Sequence, residues 1–161
     1  MGAPSRGEIR SRNVRAVSGK DTKPELAVRR AAHGLGLRFR LFRKDLPGRP
    51  DLTFQKWRAV IFVNGCFWHQ HGGCRKGALP KSNVEFWKSK LSDNILRDRR
   101  NRKELQKRGW RVFVIWECDV NRLGAVDIIR GLFRDLDVTE PAVRAINPTR
   151  KRVPSARKNG R

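Results

Sequence analysis

Apolar residues recur along the chain at two spacings, and each spacing predicts an element. Thr22-Lys23-Pro24-Glu25 offers a capping box with Pro in the first turn, followed by Leu26, Val28, Ala31 and Ala32 and the stop residues Gly34 and Gly36. A helix over about 23–33 follows. Leu37, Phe39 and Leu41 alternate with Arg38, Arg40 and Arg43, the period of a half-buried strand. Beyond the turn residues Leu46-Pro47-Gly48-Arg49-Pro50, the segments 51–54 and 58–63 predict two strands of a hairpin. The second, Ala59-Val60-Ile61-Phe62-Val63, has no polar member and suits the centre of a sheet. Ser82-Asn83-Val84-Glu85 is a second capping box, and Phe86, Leu91, Ile95 and Leu105 predict one long helix or two joined ones over about 83–107. Trp110 to Trp116 reads as a further strand, and Leu123, Val126, Ile128, Ile129, Leu132, Phe133 and Leu136 predict a final amphipathic helix.

That order gives an α/β fold, a mixed central sheet flanked by helices in three layers. The chain has 161 residues, the size of one domain. Its expected parts are a basic N-terminal segment over 1–20, a domain over 21–140 and a disordered basic tail over 141–161. No apolar run approaches the roughly 20 residues of a membrane span, and the first twenty residues contain no secretory apolar region. A cytoplasmic protein with no membrane partner is the expectation.

Charge narrows the function. Lys and Arg number 38 against 15 Asp and Glu, a formal net charge of +23. Residues 1–20 contribute +4 and residues 142–161 contribute +7, so the body keeps +12 and is itself basic. A nucleic-acid surface on the folded domain explains this better than a charged tail alone.

The segment from Asn64 to Pro80 is Gly-rich and poor in core residues, yet it carries Cys66, His69, His71 and Cys74, with Cys118 just after the last strand. Three cysteines in a cytoplasmic chain argue against a disulfide framework. Cys66, His71, Cys74 and Cys118 would make a Cys3His tetrahedral zinc site, saturated and therefore structural, that pins the loop to the sheet. A ligand set containing His69 stays open on spacing, as does a set of ordinary thiols with surface histidines.

A phosphodiesterase needs a cation to neutralise developing charge and a base to make hydroxide. Pro50-Asp51 at the start of the hairpin suits a PD-(D/E)XK nuclease aspartate, although the usual second-strand acid and lysine are absent, Phe62, Val63 and Asn64 standing there. The block Val60 to His71 closely resembles the very short patch repair (Vsr) endonucleases. The resemblance extends over Arg10-Ser11-Arg12-Asn13, Lys20 to Glu25, Leu46 to Asp51, Glu85-Phe86-Trp87, Asn94 to Arg99 and Gly109 to Cys118, about residues 10 to 120.

The resemblance implies a restriction-endonuclease-like fold and a monomeric, Mg2+-dependent nickase. Its substrate would be double-stranded DNA with a T:G mismatch left by 5-methylcytosine deamination, cut in one strand 5′ to the mispaired thymine. It implies that Asp51 and the Val63 backbone carbonyl hold Mg2+, that His69 is the general base, that Asp98 supports that histidine or the metal-bound waters, and that Glu25 lies at the edge of the site. Cys66, His71, Cys74 and Cys118 match the family's structural Zn2+ site. Phe67, Trp68 and Trp87 correspond to an aromatic wedge in the major groove, and Arg10, Arg12, Asn13 and Arg15 to a segment in the minor groove. Mismatch-repair proteins and a cytosine-5 methyltransferase system would be its company, in a bacterial nucleoid. One departure is Asn64, where many members have a histidine beside the scissile phosphate. An amide hydrogen-bonds a phosphate oxygen but donates no proton near pH 7. An alternative is therefore a catalytically impaired or redirected zinc-containing DNA-binding protein of the same fold.

Overall fold

The computed structural model describes residues 20–134. The expected elements at the N-terminal segment, the tail and Leu136 lie outside them. The described chain runs α1 (Lys23–Gly34), β1 (Leu52–Phe54), β2 (Ala59–Asn64), α2 (Val84–Lys107), β3 (Arg111–Trp116), α3 (Glu117–Leu123) and α4 (Ala125–Arg134). The sheet is mixed, in the order β1-β2-β3. β1 pairs antiparallel with β2, Leu52 opposite Ile61, and β2 pairs parallel with β3, Val63 opposite Ile115.

β2, apolar from Ala59 to Val63, is the central strand, as its sequence predicts, because both of its faces are covered. Leu52, Phe54, Ala59, Ile61, Val63 and Ile115 share one face with Val28 and Ala32 of α1, Val120 of α3 and Ile129 and Phe133 of α4. Val60 on the other face packs with Leu46, Leu105 of α2 and Trp110, against Phe62 and Val112. Helices therefore cover both sides, the three layers expected. Leu52, Phe54 and Ile61 are completely buried, each worth about 1.5–3 kcal/mol in apolar transfer.

Four local expectations are corrected. The 37–41 stretch makes no strand: only Arg40 bridges Thr53, while Leu37 is buried, Leu41 is exposed and Phe42 turns away at a φ of 45°. The first capping box does not form, and the N-cap of the second is displaced by one residue. The Thr22 hydroxyl bonds the Glu25 carboxylate, which accepts from the Asp21 N–H one residue earlier. Asn83 caps α2 in a left-handed conformation without a side-chain bond, and Glu85 pairs with Lys88. The region 83–107 is one continuous helix. The expected last helix starts at Ala125 as α4, and Gly124, at a φ of 82°, separates it from α3, a helix the apolar spacing does not predict. Among the described residues no helix is long and apolar enough to cross a membrane.

Candidate active site and metal centre

β2 and the turn before β1 converge at one end of the sheet, where α1 and α2 flank a cleft of about 1010 Å3. Glu25, Asp51, Val63, Asn64, His69 and Asp98 all line it, and Trp68 stands at its wall. Lys20, Lys23, Arg49, Lys90, Arg97 and Arg102 line it too, so the acids sit inside a cationic rim.

Asp51 precedes β1, and its Oδ2 accepts the Val63 N–H at 2.7 Å, locking the carboxylate against the end of β2. Burial pushes its pKa up to about 6; the Val63 hydrogen bond opposes this, and the nearby charge of Glu25 adds to it. A carboxylate whose ionised form is short of compensation suits a cation, and its oxygen ligands suit Mg2+. Glu25 is almost fully buried and is spent on its own neighbourhood: Thr22 Oγ1 at 2.8 Å, the Asp21 N–H at 2.9 Å and Arg29 at 3.0 Å.

His69 Nδ1 lies 2.5 Å from Asp98 Oδ2, a contact between the loop and α2. An ionised carboxylate only accepts, so Nδ1 carries the proton and Nε2 presents its lone pair. His69 pairs with Asp98 and stands apart from the sulfur cluster. Asn64, the last residue of β2, is buried beside the same cleft.

The loop's second centre is Cys66, His71, Cys74 and Cys118, whose donor atoms all lie within 4.8 Å of one another. Tetrahedral zinc bonds of about 2.3 Å place sulfurs about 3.8 Å apart, so small shifts close the site. Its donor set fits a structural zinc. Burial pushes the Cys66 thiol up to about 12, while backbone N–H groups at Lys76 and Gly77 hold Cys74 below its ordinary value. His71 stacks on Trp116 with ring centroids 4.2 Å apart and planes 7° apart, and its Nδ1 lies 3.2 Å from Cys118 Sγ. Cys118 arrives from the first turn of α3 rather than from a strand end, as its position after the apolar run had suggested.

Phe67, Trp68 and Trp87 form one edge-to-face cluster, with centroids 5.2, 5.3 and 6.1 Å apart. The Asn94 amide bonds the Trp68 carbonyl at 3.2 Å and ties the loop to α2. Phe86, missed in the sequence reading, adds a fourth ring 5.3 Å from Trp87 and is 59% exposed. Its place beside Trp87 was the available signal. Arg10, Arg12, Asn13 and Arg15 lie outside the described residues.

Residues 6–76 match the family model described as DNA mismatch endonuclease Vsr. The chain is 51% identical over 114 residues to a type II nicking enzyme, V.XorIIP, of Xanthomonas oryzae pv. oryzae, covering 71% of this chain and 83% of that one. It is 45% identical over 109 residues to the DNA mismatch endonuclease Vsr of Escherichia coli K12, covering 68% and 69%. The catalytic domain of the homing endonuclease I-Bth0305I shares 22% identity over 76% of this chain and 100% of that domain, with a TM-score of 0.44.

Proposed function

The chain belongs to the DNA mismatch endonuclease Vsr family and is a DNA nicking endonuclease of that type, and on that premise we propose that it nicks one strand 5′ to the thymine of a T:G mismatch and so starts very short patch repair. The single observation that carries the catalytic reading is that Asp51 and the His69–Asp98 pair share one cationic cleft.

Asp51 and the Val63 carbonyl would hold Mg2+, which supplies neutralisation of the charge that develops on the phosphate. Nε2 of His69 takes the proton of the attacking water, and Asp98 steadies the imidazolium that results. The hydroxide adds to phosphorus and one ester oxygen leaves, which cuts a single strand. Asn64 donates its amide N–H to a phosphate oxygen and orients it. Glu25, held by Arg29, Thr22 and the Asp21 N–H, fixes the start of α1 against the cleft.

Mismatch reading falls to Phe67, Trp68 and Trp87. A T:G pair is cheaper to unstack than a matched pair, and flat rings inserted beside it offset a cost of about a few kcal/mol per step. Arg10, Arg12, Asn13 and Arg15 would lie in the minor groove. Zinc at Cys66, His71, Cys74 and Cys118 would hold the ring-bearing loop without chemistry of its own. The enzyme would act as a monomer in the bacterial cytoplasm and nucleoid, beside mismatch-repair proteins and a cytosine-5 methyltransferase system.

The direct test compares nicking of a T:G duplex with Mg2+ by wild type, Asp51→Ala and His69→Ala. Loss of at least about 100-fold in each variant is expected for removal of a cation ligand or a general base. Equal nicking by all three would sink the assignment. A wild type that binds but nicks no T:G context would favour the impaired DNA-binding protein, with Asn64 as the reason.

A further inference from the structure

Arg49 is the residue of the Leu46–Asp51 motif to which neither the chemistry nor the zinc centre gives a task. It stands two residues before Asp51 and lines the same cleft. Its backbone is left-handed, at a φ of 49°, where an L-residue with a Cβ is strained and where Asn or Gly would sit more easily. Gly48 before it is also left-handed, at a φ of 74°. The turn is clamped from below, since a Cβ on Gly48 would meet Asn101 Nδ2 of α2 at 3.0 Å and Phe62 Cε1 of β2 at 3.2 Å. Pro50, the residue after Arg49, is fully buried. Among the described residues the Arg49 guanidinium has no ion pair, whereas Arg29, Arg43 and Arg108 each hold a carboxylate.

Strain that persists in a rigid, exposed turn beside a catalytic carboxylate points to a task for the side chain it presents. A guanidinium is a planar fork matched to two phosphate oxygens. We propose that Arg49 grips the backbone phosphate next to the scissile one on the nicked strand, and so sets the register of that strand over Asp51. The assignment rests on the nuclease reading above, and it makes Arg49 a phosphate-binding residue of the same site.

Arg49→Asn tests it with a built-in control for folding, because Asn accepts the left-handed backbone and lacks the fork. Its thermal midpoint should equal or exceed that of wild type. Binding to a T:G duplex without added divalent cation should weaken on the order of tenfold, and the slope of log affinity against log salt should shrink by about one. Nicking at saturating DNA should fall on the order of tenfold or more, and Arg49→Lys should restore the salt slope but not the full rate. Duplexes with one neutral methylphosphonate at successive positions around the cut give the location. One position should weaken wild type and leave Arg49→Asn indifferent. An unchanged salt slope and affinity in Arg49→Asn, or equal loss by both proteins at every methylphosphonate, would overturn the proposal. Should wild type nick no T:G duplex, the nuclease reading fails while the binding arm still decides Arg49.

Discussion

Asp51 bears its charge at a cost that metal would relieve. Its folded pKa of about 6 stands above the ordinary 3.8, so its proton favours the folded state fully below about pH 3.8, and that contribution is lost as pH rises through about 6. Without divalent cation, Asp51→Asn should therefore match wild type near pH 4 and exceed it by about 3 kcal/mol above pH 7, read by denaturant unfolding. Mg2+ should stabilise wild type and leave the variant unmoved. A difference between the two that stays flat with pH would contradict the burial argument. At this scale the sequence made Asp51 and His69 visible as residue types in suggestive places. It did not make visible the 2.5 Å contact between His69 and Asp98, which spans 29 positions and was expected only through resemblance. The left-handed Arg49 was equally hidden, since a Gly-Arg-Pro sequence is compatible with several turns.

The Cys/His loop is an element whose order comes from its donors and from backbone fit. Gly77 illustrates the fit: a Cβ there would meet the His71 carbonyl at 2.9 Å and the Cys66 carbonyl at 3.3 Å, both backbone atoms that cannot swing away. Gly77→Ala should cost about 1–3 kcal/mol of stability, measured by thermal unfolding, and should loosen zinc. Cys118→Ser should lose about one equivalent of zinc in metal analysis together with stability. Zinc retained in full by Cys118→Ser would contradict the ligand set. Period-based reading succeeded for α1, β2, α2 and β3, where long apolar patterns are satisfied by burial on defined faces. It failed over 37–41, because alternation describes which side chains are buried and not whether a partner strand lies alongside. α3 escaped notice because only Val120 of its seven residues is buried. The first capping box failed because the Glu25 carboxylate is taken by the Thr22 hydroxyl and Arg29, and the second was misplaced because Asn83 rather than Ser82 is the N-cap.

Taken whole, the molecule distributes its +23 over a folded body, two basic ends and a cleft whose acids are ringed by six Lys and Arg. Deleting residues 142–161, which hold seven Lys and Arg and no acid, should weaken binding to unmodified duplex and flatten its salt dependence while leaving the rate at saturating T:G substrate unchanged. A rate that falls with the tail would place part of the site there. The three-layer sheet was legible because the uninterrupted apolar run Ala59 to Val63 of β2 demands cover on both faces. The convergence of the α1 start, the Asp51 turn, the loop and α2 on one cleft was not, because it depends on how those layers are set against one another. The central claim, a strand- and mismatch-directed nick, is tested most directly by mapping cuts in duplexes labelled on each strand in turn, T:G against the matched C:G control, with Mg2+ and wild-type protein across varied flanking bases. A single nick 5′ to the mispaired thymine, absent from the other strand and from the control, is the predicted result. Cuts in both strands, or equal nicking of the matched duplex, would contradict it.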